Sequence, residues 1–346
     1  MIFLFLFIIF LIFYKSQFNK NGFNDDYLSK DKTLAIKGLF VILVFIRHCF
    51  SYLDLKTIID RPIEILDLFL AQSIVSIFLF YSGYGIYEQI KKNKILYIKA
   101  FPLKRLSKLF IDFIFAIITF LFINKMLGTL NQYSLKTILL SFIGWESIGN
   151  SNWYIFYTFI TYIFIIIAFN IFKNNDKRAI IFIIFLTLIY SILMLKFKNK
   201  TWMDTSFCFS LGMIYSYFKT DIEKFIQKNK TYIIFFCILL ISYLILNIIY
   251  YKIRNPYIYI VISSVFSLLV VMITMKFTIN CKFFEILGKN VFWIYILQRI
   301  PMIILSNLKM QNHQYLFLIL SFLSTIIIAE IYKYIIDNKI IKIIYK

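Results

Sequence analysis

The sequence predicts an all-α membrane protein: a polytopic helical bundle with a ten-helix core and one extra N-terminal helix. Three observations predict it. Of 346 residues, 61% are hydrophobic and 20% aromatic, more apolar surface than a soluble chain of this length buries. Apolar runs of about twenty residues recur, long enough at about 1.5 Å per residue to cross a hydrocarbon core of about 30 Å. Short Lys-rich tracts break these runs, as loops do between helices that satisfy their own backbone in lipid.

The first element is the apolar run 1–14. No basic residue precedes it, and Tyr14-Lys15-Ser16-Gln17 offers no convincing cleavage site, so it reads as a membrane anchor, not a signal peptide. Residues 1–32 are expected to form this anchor and a cytoplasmic linker, and 33–346 the main transmembrane domain. Core spans are expected at 34–53, 65–87, 106–127, 151–172, 178–197, 204–219, 231–251, 256–275, 286–305 and 315–336. Segment 135–148 is apolar but short, a re-entrant or interfacial piece. No gap holds a soluble domain, and no internal repeat is visible.

The net charge is +21. In a soluble chain that suggests nucleic acid. Here the cations lie between apolar runs, so the positive-inside rule accounts for them and no nucleic-acid partner is expected. Loops 15–33, 88–108, 173–178, 219–230 and 276–289 with the tail 333–346 hold 25 Lys and Arg, against 10 in the alternate loops. The first set is therefore expected in the cytoplasm, with the N-terminus outside and the C-terminus inside a bacterial cytoplasmic membrane. Cys49, Cys208, Cys237 and Cys281 form no CxxC and read as small buried hydrophobes. With two histidines in the chain, no metal site is expected.

Four stretches carry residues with chemistry. The first is Lys37–Tyr52, KGLFVILVFIRHCFSY. Lys37 and His48 are eleven residues apart, which on a helix places them within about 20° of one face and roughly 16 Å apart. Lys37 alone reads as a snorkelling helix-end lysine. An imidazole in hydrocarbon needs a partner, so His48 is either tied to a neighbouring helix or a general base that takes a proton from a hydroxyl. Arg47 points about 100° away, toward an acid on another helix or the outer interface.

The second stretch is Phe80-Tyr81-Ser82-Gly83-Tyr84-Gly85, followed by seven basic residues from Lys91 to Lys108. Its small residues suit close helix approach. The basic run is a cytoplasmic loop, or in addition a phosphate-binding cluster, with Lys104, Arg105 and Lys108 at the mouth of a cavity. The third is Ser151-Asn152-Trp153-Tyr154, where an interfacial aromatic belt explains Trp153 and Tyr154. The fourth is Leu287 through Arg299, whose Gln298 and Arg299 are polar groups expected to face the bundle interior. Glu330 is the acid of the last span, placed to neutralise a cation such as Lys37.

In this order and spacing, the four stretches resemble the bacterial acyltransferase 3 family of integral membrane O-acyltransferases, from about residue 33 to 336. Lys37 and His48 fill the positions of the family's basic residue and histidine in the first core helix. Ser82-Gly83-Tyr84 with Lys104, Arg105 and Lys108 matches its SGY and basic run. Trp153-Tyr154 matches its aromatic segment, and Gly288 through Gln298 its late glycine and iYllH/Q-like helix. There are departures: lysine stands at 37 for the commoner arginine, only Arg105 is arginine in the basic run, and Ile331 follows Glu330 where the family has proline.

The resemblance implies transfer of an acyl group, usually acetyl from acetyl-CoA, to a hydroxyl of a carbohydrate or cell-envelope glycan. It implies His48 and Lys37 as catalytic residues, and Lys104, Arg105 and Lys108 at the acyl-CoA phosphates. Ser82, Tyr84, Trp153, Gln298 and Glu330 would contact substrate. A transporter or flippase of a lipid-linked glycan is the competing class. Such proteins often show repeats and paired broken helices, which this sequence does not display.

Overall fold

The computed structural model describes residues 2–54 and 60–336. Its helices in chain order are α1 Ile2–Phe13, α2 Lys30–Phe50, α3 Arg61–Leu70, α4 Ser73–Phe101, α5 Lys108–Met126, α6 Leu135–Ser141, α7 Trp153–Ile171 and α8 Asp176–Phe197. There follow α9 Phe207–Tyr217, α10 Lys219–Ile226, α11 Asn229–Ile253, α12 Pro256–Lys276, α13 Lys282–Gly288, α14 Val291–Leu297, α15 Arg299–Asn307 and α16 Gln314–Ile335. The π-helical Pro102–Ser107 joins α4 to α5. Two short strands, β1 Gln17–Phe18 and β2 Phe277–Thr278, pair antiparallel.

Local chemistry sets many helix starts. Ser29 caps α2 by accepting from the Lys32 N–H at 3.3 Å, and Asn175 caps α8 through the Arg178 N–H at 2.9 Å. Asn255 caps α12, whose first residue is Pro256.

Among the described residues, seven stretches are long and apolar enough to cross a membrane. Each of the ten expected core spans falls on helix, and the chain is an all-α polytopic membrane protein. Three spans differ in build. Span 65–87 is broken at Ala71, whose φ of 37° ends α3. Span 204–219 yields only the eleven-residue α9. Span 286–305 runs through the end of α13, α14 and α15, with Lys289 and Asn290 at the break. Apolar periodicity runs through such breaks, because a kink need not change which residues are apolar.

Two reciprocal glycine pairs fix the core. At the α2–α13 crossing, a Cβ on Gly38 would fall on the Phe284 carbonyl, and one on Gly288 on the Leu34 carbonyl. At the α4–α9 crossing, Gly83 meets the Phe209 carbonyl and Gly212 that of Phe80. Such contact between backbones is how membrane helices associate without a hydrophobic driving force. Gly85 has open space around its missing Cβ, so it takes no part in the close approach expected of this tract. Hydroxyls add local links, as between Ser76 and Ser267 at 2.9 Å across α4 and α12.

Residues 15–29 are tied to the end of α12. Lys276 Nζ donates to the Gly22 carbonyl at 3.1 Å and to Asn229 Oδ1 at 2.9 Å. The cysteines are free, and Cys237 is exposed, against the expectation that all four are buried. It lies on α11, which the bundle covers little.

Candidate active site

The last turn of α2 holds Arg47 and His48 side by side. Arg47 turns to α3, with Nη1 2.6 Å from Asp67 Oδ1 and 3.0 Å from the Asp67 carbonyl. Of its two expected destinations, the acid is the one it reaches. His48 turns toward α7 and α15. Its Nδ1 accepts from Arg299, with Nη2 at 3.1 Å and Nε at 3.3 Å, and its Nε2 lies 3.4 Å from Ser151 Oγ. A guanidinium has donors only. Nδ1 therefore presents its lone pair, and the ring hydrogen sits on Nε2, directed at Ser151.

The loop before α7 is built to deliver Ser151. Gly144 and Gly149 have φ of +77° and +106°, values glycine adopts without penalty. Asn150 Oδ1 accepts the Ile148 N–H at 3.1 Å, Asn124 Nδ2 donates to the Ile148 carbonyl at 2.8 Å, and Asn152 Nδ2 to the Gly144 carbonyl at 2.7 Å. Lys198 holds the far side through the Trp145 carbonyl at 2.7 Å and Glu146 at 2.8 Å. The expected short apolar piece 135–148 is thus α6 and the first half of this loop.

At the other, Lys-rich end, a cavity of about 270 Å³ opens between the π-helical turn, α5, α7, α14 and α16. Lys104, Arg105 and Lys108 form one wall, Lys289 and Asn290 another, and Lys333 a third. Its one acid, Asp112, is bound to Lys108 at 2.9 Å. Five basic side chains against one paired carboxylate give the cavity an excess of positive charge, the character that suits an anion. π-Helical turns recur at functional sites, and this one carries Lys104 and Arg105 to the mouth.

Two helical stripes connect the ends. Ser151 precedes α7, and Tyr154, Thr158 and Tyr162 follow at spacings of three and four, so they share a face; Tyr162 lines the cavity. On α14 and α15, Phe292 lines the cavity, Tyr295 follows three residues on, and Arg299 four later reaches His48. The Tyr154 and Tyr295 rings meet midway, 5.1 Å apart. The hydroxyls of Tyr81 and Tyr295 and Oε1 of Gln298 are buried and find no hydrogen-bond partner among the described residues. Each such group costs about 1–3 kcal/mol, and two of the three, Tyr295 and Gln298, belong to the α14–α15 stretch that runs toward His48.

The structure gathers only part of the expected set. Lys104, Arg105 and Lys108 share the cavity. Lys37 and His48 do not touch: the Lys37 ammonium lies 5.5 Å from the centroid of the Tyr81 ring, roughly three helical turns below His48. Ser82 faces Tyr162. Trp153 stands edge-on to Tyr154 at 6.1 Å. Gln298 is buried and donates to the Tyr295 carbonyl at 2.9 Å, so its neighbour Arg299 is the one that reaches His48. Tyr84 is carried away from both ends of the seam, packing on Tyr215 at 6.4 Å beneath Lys219. Glu330 accepts from Asn290, which accepts from Lys333 at 2.5 Å; it stands behind the cavity residue Asn290, and its contact is not the Lys37 expected of it.

Sequence reading undervalued four residues. Lys333 counts only as a charge of the tail and Lys289 lies in the fourth stretch with no role of its own, and nothing local distinguishes either from other loop lysines. Ser151 lies in the third stretch, where an interfacial belt accounts for Trp153 and Tyr154 and assigns the serine no role. Arg299 carried the one usable signal, a cation inside an apolar span.

A cation-lined cavity thus lies at one end of the membrane bundle and His48 near the other, with the two helical stripes between them. The chain itself belongs to the acyltransferase 3 family: the family model described as "Acyltransferase domain" matches residues 35–332. No curated protein and no solved structure matches the chain.

Proposed function

We propose that the protein is a membrane O-acyltransferase that moves an acyl group, acetyl in the first instance, from acyl-CoA to a hydroxyl of a cell-surface carbohydrate or envelope glycan. It would act in the bacterial cytoplasmic membrane, with the Lys-rich end and C-terminus in the cytoplasm and the N-terminus outside. The observation that carries this reading is the seam between the five-cation cavity and His48. A cytosolic donor needs a place for its phosphates, and the cavity residues Lys104, Arg105, Lys108, Lys289 and Lys333 supply matching charge. The donor's amide-bearing arm needs polar contacts within the bundle, and Tyr81, Tyr295 and Gln298 have capacity to spare. Lys37, at the lower end, steadies the donor electrostatically. The acceptor hydroxyl approaches from the outer side and loses its proton to His48 as it attacks the thioester.

The test is transfer from labelled acetyl-CoA in membranes holding the wild type or His48→Ala, with envelope glycans as acceptors. Label should enter glycan with the wild type, and the variant should lose roughly 10²–10⁴-fold in rate. Equal labelling would remove His48 from the chemistry. Movement of glycan without consumption of the thioester would identify a flippase instead.

A further inference from the structure

We propose that Arg299 masks the base lone pair of His48 and shifts to the donor's carbonyl oxygen as that oxygen gains negative charge, so that the base is bared only as an acceptor attacks a donor already in place. This rests on the acyl-transfer reading above. With Nε and Nη2 of Arg299 on Nδ1 and the Nε2 hydrogen directed at Ser151, both ring nitrogens are engaged. His48 cannot accept a hydroxyl proton in this arrangement, since Arg299 occupies its one lone pair.

The grip of Arg299 is of a kind that can be exchanged. Among the described residues no carboxylate pairs with it, and its hydrogen-bond acceptor is a neutral imidazole nitrogen. Arg47, one residue from His48, is by contrast committed to the Asp67 carboxylate. A thioester oxygen that gains negative charge during attack is a better acceptor for a guanidinium than a neutral nitrogen. Arg299 also stands on the stripe Phe292, Tyr295, Arg299 that leads from the anion cavity. A donor arm laid along that stripe brings its carbonyl to the guanidinium before it meets His48.

The step then balances. The acceptor oxygen bonds to the carbonyl carbon, its proton passes to Nδ1, and the carbonyl electron pair moves to oxygen, where Arg299 holds it. On collapse the C–S bond breaks, and the thiolate leaves with the proton from Nδ1. Ser151 keeps the second hydrogen on Nε2 throughout and so acts as a positioning residue. Water meets a masked base in the absence of donor.

Masking is testable apart from activity. Diethyl pyrocarbonate acylates an imidazole lone pair, and the exposed His313 is an internal reference. Relative to His313, His48 should react at least about tenfold faster in Arg299→Gln than in the wild type, the effect of losing one hydrogen bond from a charged donor. Arg299→Lys should fall between them. Equal rates in wild type and Arg299→Gln overturn the proposal. The wild type supplies a check free of folding effects: in ¹⁵N-histidine spectra of a His313→Gln background, His48 should carry its hydrogen on Nε2, and an Nδ1–H tautomer overturns the masking. In transfer assays Arg299→Gln should lower kcat by roughly 10²–10³-fold, the usual effect of an oxyanion-side donor, with donor KM moved less than about threefold. Near-normal kcat in this variant removes the second half of the role. Were the wild type to transfer no acyl group, the reagent and the spectra would still decide the masking, so the two failures are distinct.

Discussion

Two arginines and two lysines show how far a partner decides what a charge does. Arg47 is spent on Asp67 in a pair about a third exposed on each side, which screening limits to under about 1 kcal/mol. Its work is to hold α3 against α2, and Arg47→Gln should leave kcat near that of the wild type. Arg299 faces an imidazole and keeps its charge available. Lys289 and Lys333 stand in the cavity wall opposite Lys104 and Arg105. Each should contribute one charge-assisted contact to a donor phosphate. Lys289→Ala and Lys333→Ala are each expected to raise donor KM by about tenfold with little change in kcat, and the Lys→Arg versions to restore most of it. Saturation kinetics with acetyl-CoA reads both numbers, and a kcat loss at unchanged KM would place these lysines outside donor binding.

At the scale of elements, the α2–α13 crossing matters most, because α2 also carries His48. A methyl on Gly38 or Gly288 must displace backbone, not a side-chain tip. Gly38→Ala and Gly288→Ala should each cost about 1–3 kcal/mol, seen as a lower thermal midpoint in detergent. Transfer should fall as well, since a shift of α2 changes the His48–Arg299 distance. Gly85→Ala provides the contrast. Nothing lies within 4 Å of its missing Cβ, and alanine favours a helix interior by roughly 0.5–1 kcal/mol over glycine. That variant should be neutral or slightly more stable, and a loss as large as that of Gly38→Ala would mean the α4 surface is covered there.

Over the whole molecule, the charge asymmetry and the site geometry agree. The cavity draws its cations from 88–108, 276–289 and 333–346, three loops that the Lys and Arg count assigns to one side. A membrane-impermeant thiol reagent on single cysteines checks this orientation in intact cells. Cysteine at Lys92 should be protected and cysteine at Lys309 labelled, and the reverse pattern would put the anion cavity outside, away from cytosolic acyl-CoA.

Composition and the recurrence of twenty-residue apolar runs were enough to determine a polytopic helical bundle, because lipid leaves a spanning backbone few other solutions. The spacing of Lys37 and His48 placed them on one helix face, since 3.6 residues per turn is a local property. The basic cluster Lys104, Arg105 and Lys108 was legible because its three residues lie within five positions of one another in the chain. Breaks at Ala71 and at Lys289-Asn290 were not, because they depend on backbone angles that apolar pattern does not record. Nor could the sequence show that Arg299 reaches His48 while Gln298 does not, that Tyr84 turns away, or that Lys289 and Lys333 join a cavity whose other cations, Lys104, Arg105 and Lys108, lie roughly two hundred positions earlier. Which face of each helix meets which neighbour follows from the glycine crossings and helix packing, and only the tertiary structure decides those.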